Sequence, residues 1–371
     1  MRKQSIPLLS PVIGTHRELV SFHFGPADSA QKIFISSSLH ADETPAMLTN
    51  VLLKRRLLEL EQQGALAAEI VLVPVANPVS LGQSVLGQFV GRFDLASGKN
   101  FNRHFLQFDG LIERAKQSFG ADPVANRQMV RQFMREELDR QKPLTEFESL
   151  QLALLQLSFD ADVVIDLHCS LEAVMHVYTS EAAWADFEPL ARYLGARASL
   201  LATDSGAGAF DETHSLLWWK LQQSLPAAQP VETGTIAVTV ECRGQRDVSY
   251  AVAQQDADAL VDYLTWRNAI RGEAKPLPDL LTPATPLAGS EQFYAPVSGI
   301  LVHHASIGDT IRAGDPLFDI VDPLTDETVT ISSKTDGIFY MRRAIRFVTA
   351  GAPLGRVTGT KPVRTGVLLG A

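Results

Sequence analysis

Two apolar runs in this chain, Lys32-Ile33-Phe34-Ile35-Ser36-Ser37-Ser38-Leu39 and Asp162-Val163-Val164-Ile165-Asp166-Leu167, each stop at a histidine, His40 and His168. Short apolar runs rich in β-branched residues read as buried strands, and open α/β sheets bind ligands beyond the carboxyl ends of their strands. The two imidazoles are therefore placed to meet. His40 opens the tetrad His40-Ala41-Asp42-Glu43, and a carboxylate one turn after a histidine can reach the same cation. Two imidazoles and a carboxylate form a mixed nitrogen and oxygen donor set that suits Zn2+, and three protein ligands leave a fourth position for water, as catalytic zinc sites do.

The rest of the chain fits an α/β frame. Candidate strands are Glu18 to Phe24, Ile33 to Ser38, Ile70 to Val75, Val163 to Leu167 and Ile236 to Glu241. A helix between the second and third opens near Pro45, carries Ala46, Leu53, Leu57 and Leu60 on one face, and closes at Gln63-Gly64. Three strands end in a candidate site residue. The charged, helix-prone residues 109–158 interrupt this rhythm and read as an inserted helical cap. Residues 273–290, with Pro276, Pro278, Pro283 and Pro286, read as a stiff linker that closes a domain of residues 1–272.

Residues 291–371 form a second, all-β domain with a weak internal repeat. Ala295-Pro296-Val297-Ser298-Gly299-Ile300 is echoed by Lys334-Thr335-Asp336-Gly337-Ile338, and Ala313-Gly314-Asp315-Pro316-Leu317 by Ala350-Gly351-Ala352-Pro353-Leu354. The spacing resembles the biotinyl and lipoyl carrier barrel, whose modified lysine lies in the hairpin between the halves. Here that hairpin, Val321 to Val329, has no lysine, so a swinging-arm carrier is not expected. Packing, homo-oligomer formation or shaping of the site's mouth are the roles left.

Of 371 residues 46% are hydrophobic, enough for a full core, and the formal charge of -9 is spread without a basic stripe, which argues against nucleic acid as a partner. The apolar stretch after Met1 is short and broken by Pro7 and Pro11, with no cleavage signal, and no run reaches transmembrane length. Cys169 and Cys242 are the two cysteines. Each follows a candidate site residue on a strand, so both should face the opposite side as buried thiols, in keeping with a reducing cytoplasm.

A lone His-x-x-Glu arises by chance in roughly half of chains this long. The constellation downstream decides: Arg92-Phe93-Asp94, Asn100-Phe101-Asn102-Arg103, Asp166-Leu167-His168 and Thr239-Val240-Glu241-Cys242-Arg243-Gly244. In order and spacing these motifs, over about residues 30–250, resemble the succinylglutamate desuccinylase and aspartoacylase family. That family is a branch of the zinc carboxypeptidase fold, so the resemblance implies a mixed sheet flanked by helices.

The resemblance further implies that His40, Glu43 and His168 ligate one zinc ion and that Glu241 is the general base. It implies that Arg92 polarises the scissile carbonyl and that Asn102 and Arg103 hold a substrate carboxylate. The activity implied is hydrolysis of a small N-acyl amino acid. A metallocarboxypeptidase acting on short peptides, with its pocket narrowed by the helical insert and the β domain, or a non-catalytic metal-binding homologue are the alternatives. Arg243, two residues beyond Glu241, is a candidate for a second substrate carboxylate or for a structural ion pair. Tyr178, Tyr250 and the loop Phe210-Asp211-Glu212 are weaker candidates for the pocket wall. Two departures from the family stand out. The gap from Arg92 to Asn102 is longer, consistent with an insertion at Ser97-Gly98-Lys99, and Asn100 stands where the family usually has the aspartate that accepts the outer N–H of a zinc histidine. Asp166, on the same strand face as His168, could orient that ligand.

Overall fold

The computed structural model describes residues 1–370. Its centre is a mixed sheet of nine strands in the order Arg2–Pro7, Glu18–Phe24, Glu69–Val73, Lys32–Ser37, Val163–Ser170, Ile236–Gly244, His176–Thr179, Ala198–Leu201 and Thr285–Pro286. The four strands from Glu69–Val73 to Ile236–Gly244 run parallel, so their carboxyl ends open on one edge. Such strands are covered on both faces, which is why they read as continuous apolar runs. Val163, Ile165, Leu167 and Cys169 enter one core beneath the helices Thr44–Gln62, Trp184–Leu194 and Tyr250–Trp266. Val164, between them, enters the other, built with Phe101, Phe133, Phe147 and Trp218.

The helical insert is present as Leu111–Ser118, Pro123–Arg140 and Glu146–Ser158. It covers the second face of the sheet, and none of its residues reaches the cavity described below. The expectation that it narrows the pocket is therefore corrected; its apolar side is spent on core packing. The proline-rich stretch also does more than link. Thr285–Pro286 pairs in parallel with Ala198–Leu201 as the sheet's edge, a position where proline's missing N–H costs no ladder bond.

From Glu291 onward the chain is all β, with a core around Phe293, Phe318 and Phe339. The sequence repeat is structural: Gly314 and Gly351 occupy matching turns with φ of +99° and +82°, a region closed to most side chains. The hairpin between the halves joins Pro316–Val321 to Thr328–Ser332. The two parts are sewn together, since Glu172–Ala173 of the first pairs with Gly337–Arg342 of the second. No described helix is long and apolar enough to cross a membrane.

Candidate metal centre and its cavity

His40 and Glu43 sit in the short turn between the strand Lys32–Ser37 and the helix Thr44–Gln62, and the Glu43 N–H donates to the His40 carbonyl at 3.1 Å. Pro45 in the first helical turn sets the direction of the exit. The turn is held from outside by Gly91, whose carbonyl accepts the Ala41 N–H at 3.1 Å. A Cβ at Gly91 would lie 2.1 Å from the Asp42 backbone nitrogen, so only glycine lets the segment carrying Arg92 come this close.

Strand register supplies the rest. His168 lies opposite Glu241 on the neighbouring parallel strand, and Asp166 lies opposite both Thr239 and Ser36. Alternation then puts Asp166, His168, Thr239 and Glu241 on one face and sends Cys169 and Cys242 into the core on the other, where both are free and buried.

His40, Glu43 and His168 come together, with one donor atom from each within 4.8 Å of the others; among the described residues this is the one grouping of its kind. The proton positions follow from the outer partners. The Asn100 side-chain oxygen accepts the Asn102 backbone N–H at 2.8 Å, so that atom is an acceptor, and His40 Nε2, also 2.8 Å from it, must carry a proton. His168 Nε2 lies 2.7 Å from Asp166 Oδ2, and Ser36 donates to the other oxygen at 2.7 Å. Both histidines therefore turn Nδ1 inward, at 2.9 and 2.8 Å from the two oxygens of Glu43. Neutral imidazoles would aim lone pairs at a carboxylate there, an arrangement that needs a proton or a cation between them. The donor set fits a divalent ion, with Asn100 and Asp166 as the groups that orient the two rings.

Burial opposes ionisation of Glu43, but the two histidines hold its carboxyl well below the usual range. Burial likewise disfavours a charged His168, yet Asp166 and Glu43 together raise it well above an ordinary histidine. His40 is lowered by burial and by Arg92. Glu241, half-buried with Ser170 Oγ at 3.3 Å, is pushed up to about 7 by burial and by the charge of Glu43.

Arg92 donates to Glu43 Oε1 at 3.2 Å and stays 40% exposed at the cavity rim. The longer gap that follows is absorbed by a turn: the Asp94 N–H donates to Lys99, the Phe101 N–H donates to Arg92, and Gly98 sits at the tip with φ +70°. Arg92 and Asn102 are thereby brought back together. The Asn102 oxygen accepts the Phe210 N–H at 2.8 Å, and its amide group lies 3.5 Å from His168 Nε2, whose proton already points to Asp166. Its amide protons thus remain free for a ligand. Arg103 donates to the carbonyls of Asn102 and Gly370, each at 2.6 Å.

These residues line one cavity of about 460 Å³, roofed by the β domain through Gln292, Tyr294, Met341, Leu354 and Arg356. Tyr178 lines it, whereas Tyr250 does not and is 70% exposed. Phe210, Asp211 and Glu212 do not form a loop. They begin the helix Phe210–Ser224, whose start is fixed by Glu212 accepting the N–H groups of Ser205 and Ala209. Asp211 faces the cavity and is raised to about 7 by burial and the neighbouring carboxylates Glu212 and Asp166.

Arg243 is the candidate that the structure turns away. Its φ of +66° and the register shift after Glu241 break the strand's alternation, and its guanidinium grips Asp256 at 2.8 and 3.0 Å. It lines no part of the cavity. The ion-pair reading of Arg243 holds, and the substrate-carboxylate reading is corrected. The sequence reading of Asp211 as part of the pocket wall agrees with its place at the cavity, whereas Arg356 was missed; it stands 115 residues after Glu241, in a strand with no motif to mark it.

Residues 29–266 match the family model described as the succinylglutamate desuccinylase/aspartoacylase catalytic domain. This chain belongs to that family. Its members are hydrolytic deacylases acting on small molecules. No curated protein matches the sequence. Among solved structures, a protein from Shewanella amazonensis assigned to this family superimposes with a TM-score of 0.85 at 24% identity, covering 96% of this chain and 98% of that one. A second, from Shewanella frigidimarina, gives 0.82 at 23%, covering 96% and 97%. The product-bound ectoine utilization protein EutE of Ruegeria pomeroyi gives 0.67 at 15%, covering 97% and 95%. At these identities the likeness is one of fold, and it extends through the β domain.

Proposed function

We propose that the protein is a zinc-dependent hydrolase that cleaves the amide of a small N-acyl amino acid, releasing a carboxylate and a free amino acid. The observation that carries this reading is the inward convergence of His40, Glu43 and His168, with Glu241 beside them on the adjoining strand. A zinc ion held by the three residues would supply Lewis acidity and lower the pKa of coordinated water from about 15.7 to about 7.

The chain's own groups account for the remaining demands. Water adds across the amide: its oxygen forms the new C–O bond, the C–N bond breaks, and the nitrogen leaves protonated. Glu241 accepts the water's proton and returns it to the departing nitrogen, a task suited to a carboxylate raised toward neutrality. Arg92, at the rim beside Glu43, faces the negative charge that develops on the carbonyl oxygen. Asn102 and Arg103 hold the amino acid's carboxylate, which takes the place of the Gly370 carbonyl on the guanidinium. The roof of the cavity favours a small substrate over a polypeptide. The buried, unpaired cysteines suit a cytoplasmic protein.

The test is hydrolysis of a panel of N-acyl amino acids beside short peptides, with zinc supplied and free amine detected. Glu241→Gln should lower kcat by about 10² to 10⁴ while leaving zinc affinity within a few-fold. Cleavage of peptides alone would favour the carboxypeptidase alternative, and a Glu241→Gln variant as active as its parent would remove the mechanism.

A further inference from the structure

Beyond its last strand, Pro353–Val357, the β domain sends a segment back to the cavity. The Val363 and Arg364 N–H groups donate to the Ala288 carbonyl at 2.9 and 3.0 Å, and the Arg364 guanidinium donates to the carbonyls of Leu287 and Leu368 at 2.9 and 3.0 Å. Gly366 makes a left-handed turn with φ +75°, a conformation that costs glycine little. Leu368 is then the anchor. Its side chain is 8% exposed in a cluster with Leu200, Leu287 and Tyr340, and its N–H donates to the Ser205 carbonyl at 2.8 Å. Past this anchor, Leu369 and Gly370 join the lining of the cavity.

The far end of the segment rests on one charged group. Arg103 Nη2 donates to the Gly370 carbonyl at 2.6 Å, while Nη1 of the same guanidinium donates to the Asn102 carbonyl. Arg103 is partly buried, and among the described residues no carboxylate pairs with it. Burying such a charge without a counter-ion is costly. A neutral carbonyl offsets that cost only in part, because a hydrogen bond between two charged partners is roughly twice as strong as one between neutral groups. Gly370 is itself exposed and has no other polar contact with the described residues. The contact is thus built to hold while the cavity is empty and to yield to a carboxylate, and the anchor at Leu368 keeps the carbonyl close after it has yielded.

We propose that Leu369 and Gly370 form an autoinhibitory strap, in which the Gly370 carbonyl competes with the substrate's carboxylate for Arg103 and each binding event displaces it. The identity of the competitor rests on the deacylase reading; the strap's hold on Arg103 does not. A site that is competent only while the strap is open binds more weakly in proportion to the open fraction. One charge-assisted hydrogen bond, set against the entropy of ordering two residues, corresponds to about one molecule in ten open and a KM about tenfold above that of the unstrapped site.

The experiment compares the wild type with a chain stopped after Leu368 and with Leu368→Ser. The stopped chain keeps the anchor and its Arg364 contact but lacks the strap; Leu368→Ser keeps Gly370 but loosens the anchor. The substrate is the best N-acyl amino acid of the panel, and its carboxamide, which has no carboxylate for Arg103, serves as a competitive inhibitor. Stopping the chain should lower KM about tenfold with kcat unchanged and leave the inhibition constant of the carboxamide unchanged, and Leu368→Ser should move KM the same way by less. A KM that rises or stays the same would make the segment a wall of the substrate site and overturn the proposal. Equal tightening of substrate and carboxamide would overturn it too, since the segment would then obstruct the cavity without competing for Arg103. A second readout needs no turnover: labelling by the arginine reagent phenylglyoxal, followed by mass spectrometry, should be several-fold faster at Arg103 in both variants, with Arg92 at the rim as the unchanged internal reference. If nothing in the panel is hydrolysed and Arg103 is still unmasked in this way, the deacylase reading fails and the strap stands. Labelling of Arg103 at the wild-type rate in both variants would remove the strap whatever the substrate.

Discussion

The two outer acceptors of the candidate metal centre differ in charge, and that difference predicts opposite effects from two near-isosteric substitutions. Asp166→Asn keeps the packing: the amide oxygen can still accept His168 Nε2–H, now 2.7 Å away, and the amide NH2 can donate to Ser36 Oγ, whose hydroxyl rotates. What is lost is the charge. A charge-assisted hydrogen bond is worth about 1.5–3 kcal/mol against about 1 for a neutral one, so the ring becomes a weaker donor by about 1–2 kcal/mol, near a tenfold loss of zinc affinity. Measured effects of such outer partners run from about 10- to 100-fold. Asn100→Asp should act the other way, because the oxygen that serves His40 Nε2 and the Asn102 N–H is kept and gains charge. The gain is limited by a cost on the same residue: the Asn100 NH2 is buried without a partner, and the oxygen replacing it would be too. We therefore expect a tightening of no more than about tenfold. The assay is competition for zinc against a chromophoric chelator at pH 8, where added carboxylate charge does not simply protonate His40. Equal affinity in wild type and Asp166→Asn, or weaker binding by Asn100→Asp with an intact fold, would refute the assignment of these residues as the groups that tune the ion.

Two further predictions follow from the charges. His168 is raised well above an ordinary histidine, so in metal-free protein it holds a proton at neutral pH that zinc must displace; calorimetry in buffers of different ionisation enthalpy should show about one proton released per ion, and heats independent of buffer would contradict it. By the same linkage, this group stabilises metal-free protein below its unfolded value of 6.5 and loses that contribution as pH rises through the folded value, so the Tm of the metal-free form should fall on the alkaline side while that of the zinc form falls less. Arg243→Ala should leave KM for the preferred substrate within about twofold but destabilise the fold by about 2–3 kcal/mol, less than for a fully buried pair because Arg243 is 20% exposed while Asp256 is 3% exposed. Denaturant melts read the stability, and restoration of the loss by the double variant Arg243→Met with Asp256→Leu would identify the stranded carboxylate as its cause.

What the chain discloses without coordinates depends on how far each structure's cause lies along it. The strand Glu18–Phe24 and the helix Thr44–Gln62 have local causes, alternation in one and Pro45 with a 3.6-residue apolar stripe in the other, and both stand where the pattern puts them. The meeting of His40, Glu43 and His168 was legible because a strand end and a tight turn leave little freedom. The start of the helix at Phe210 was not, because it is set by Glu212 reaching N–H groups before it and by Phe210 giving its own N–H to Asn102, a residue more than a hundred positions away. Residues 273–290 look like linker because nothing local shows that Thr285–Pro286 will meet the Ala198–Leu201 edge.

Arg243 shows the limit most sharply. Two residues beyond Glu241, period-two geometry would aim it at the substrate, and the inference is sound as long as the strand continues. The strand does not: a left-handed residue and a register shift at its end rotate the guanidinium onto Asp256 in the helix Tyr250–Trp266. Such a turn costs about 1 kcal/mol or more for a residue with a Cβ. Cations at the cavity come instead from the β domain as well, as Arg342, Arg343 and Arg356, in a stretch that shares no motif with the first domain. Charge in this site is thus supplied by whichever element the tertiary fold brings to its rim.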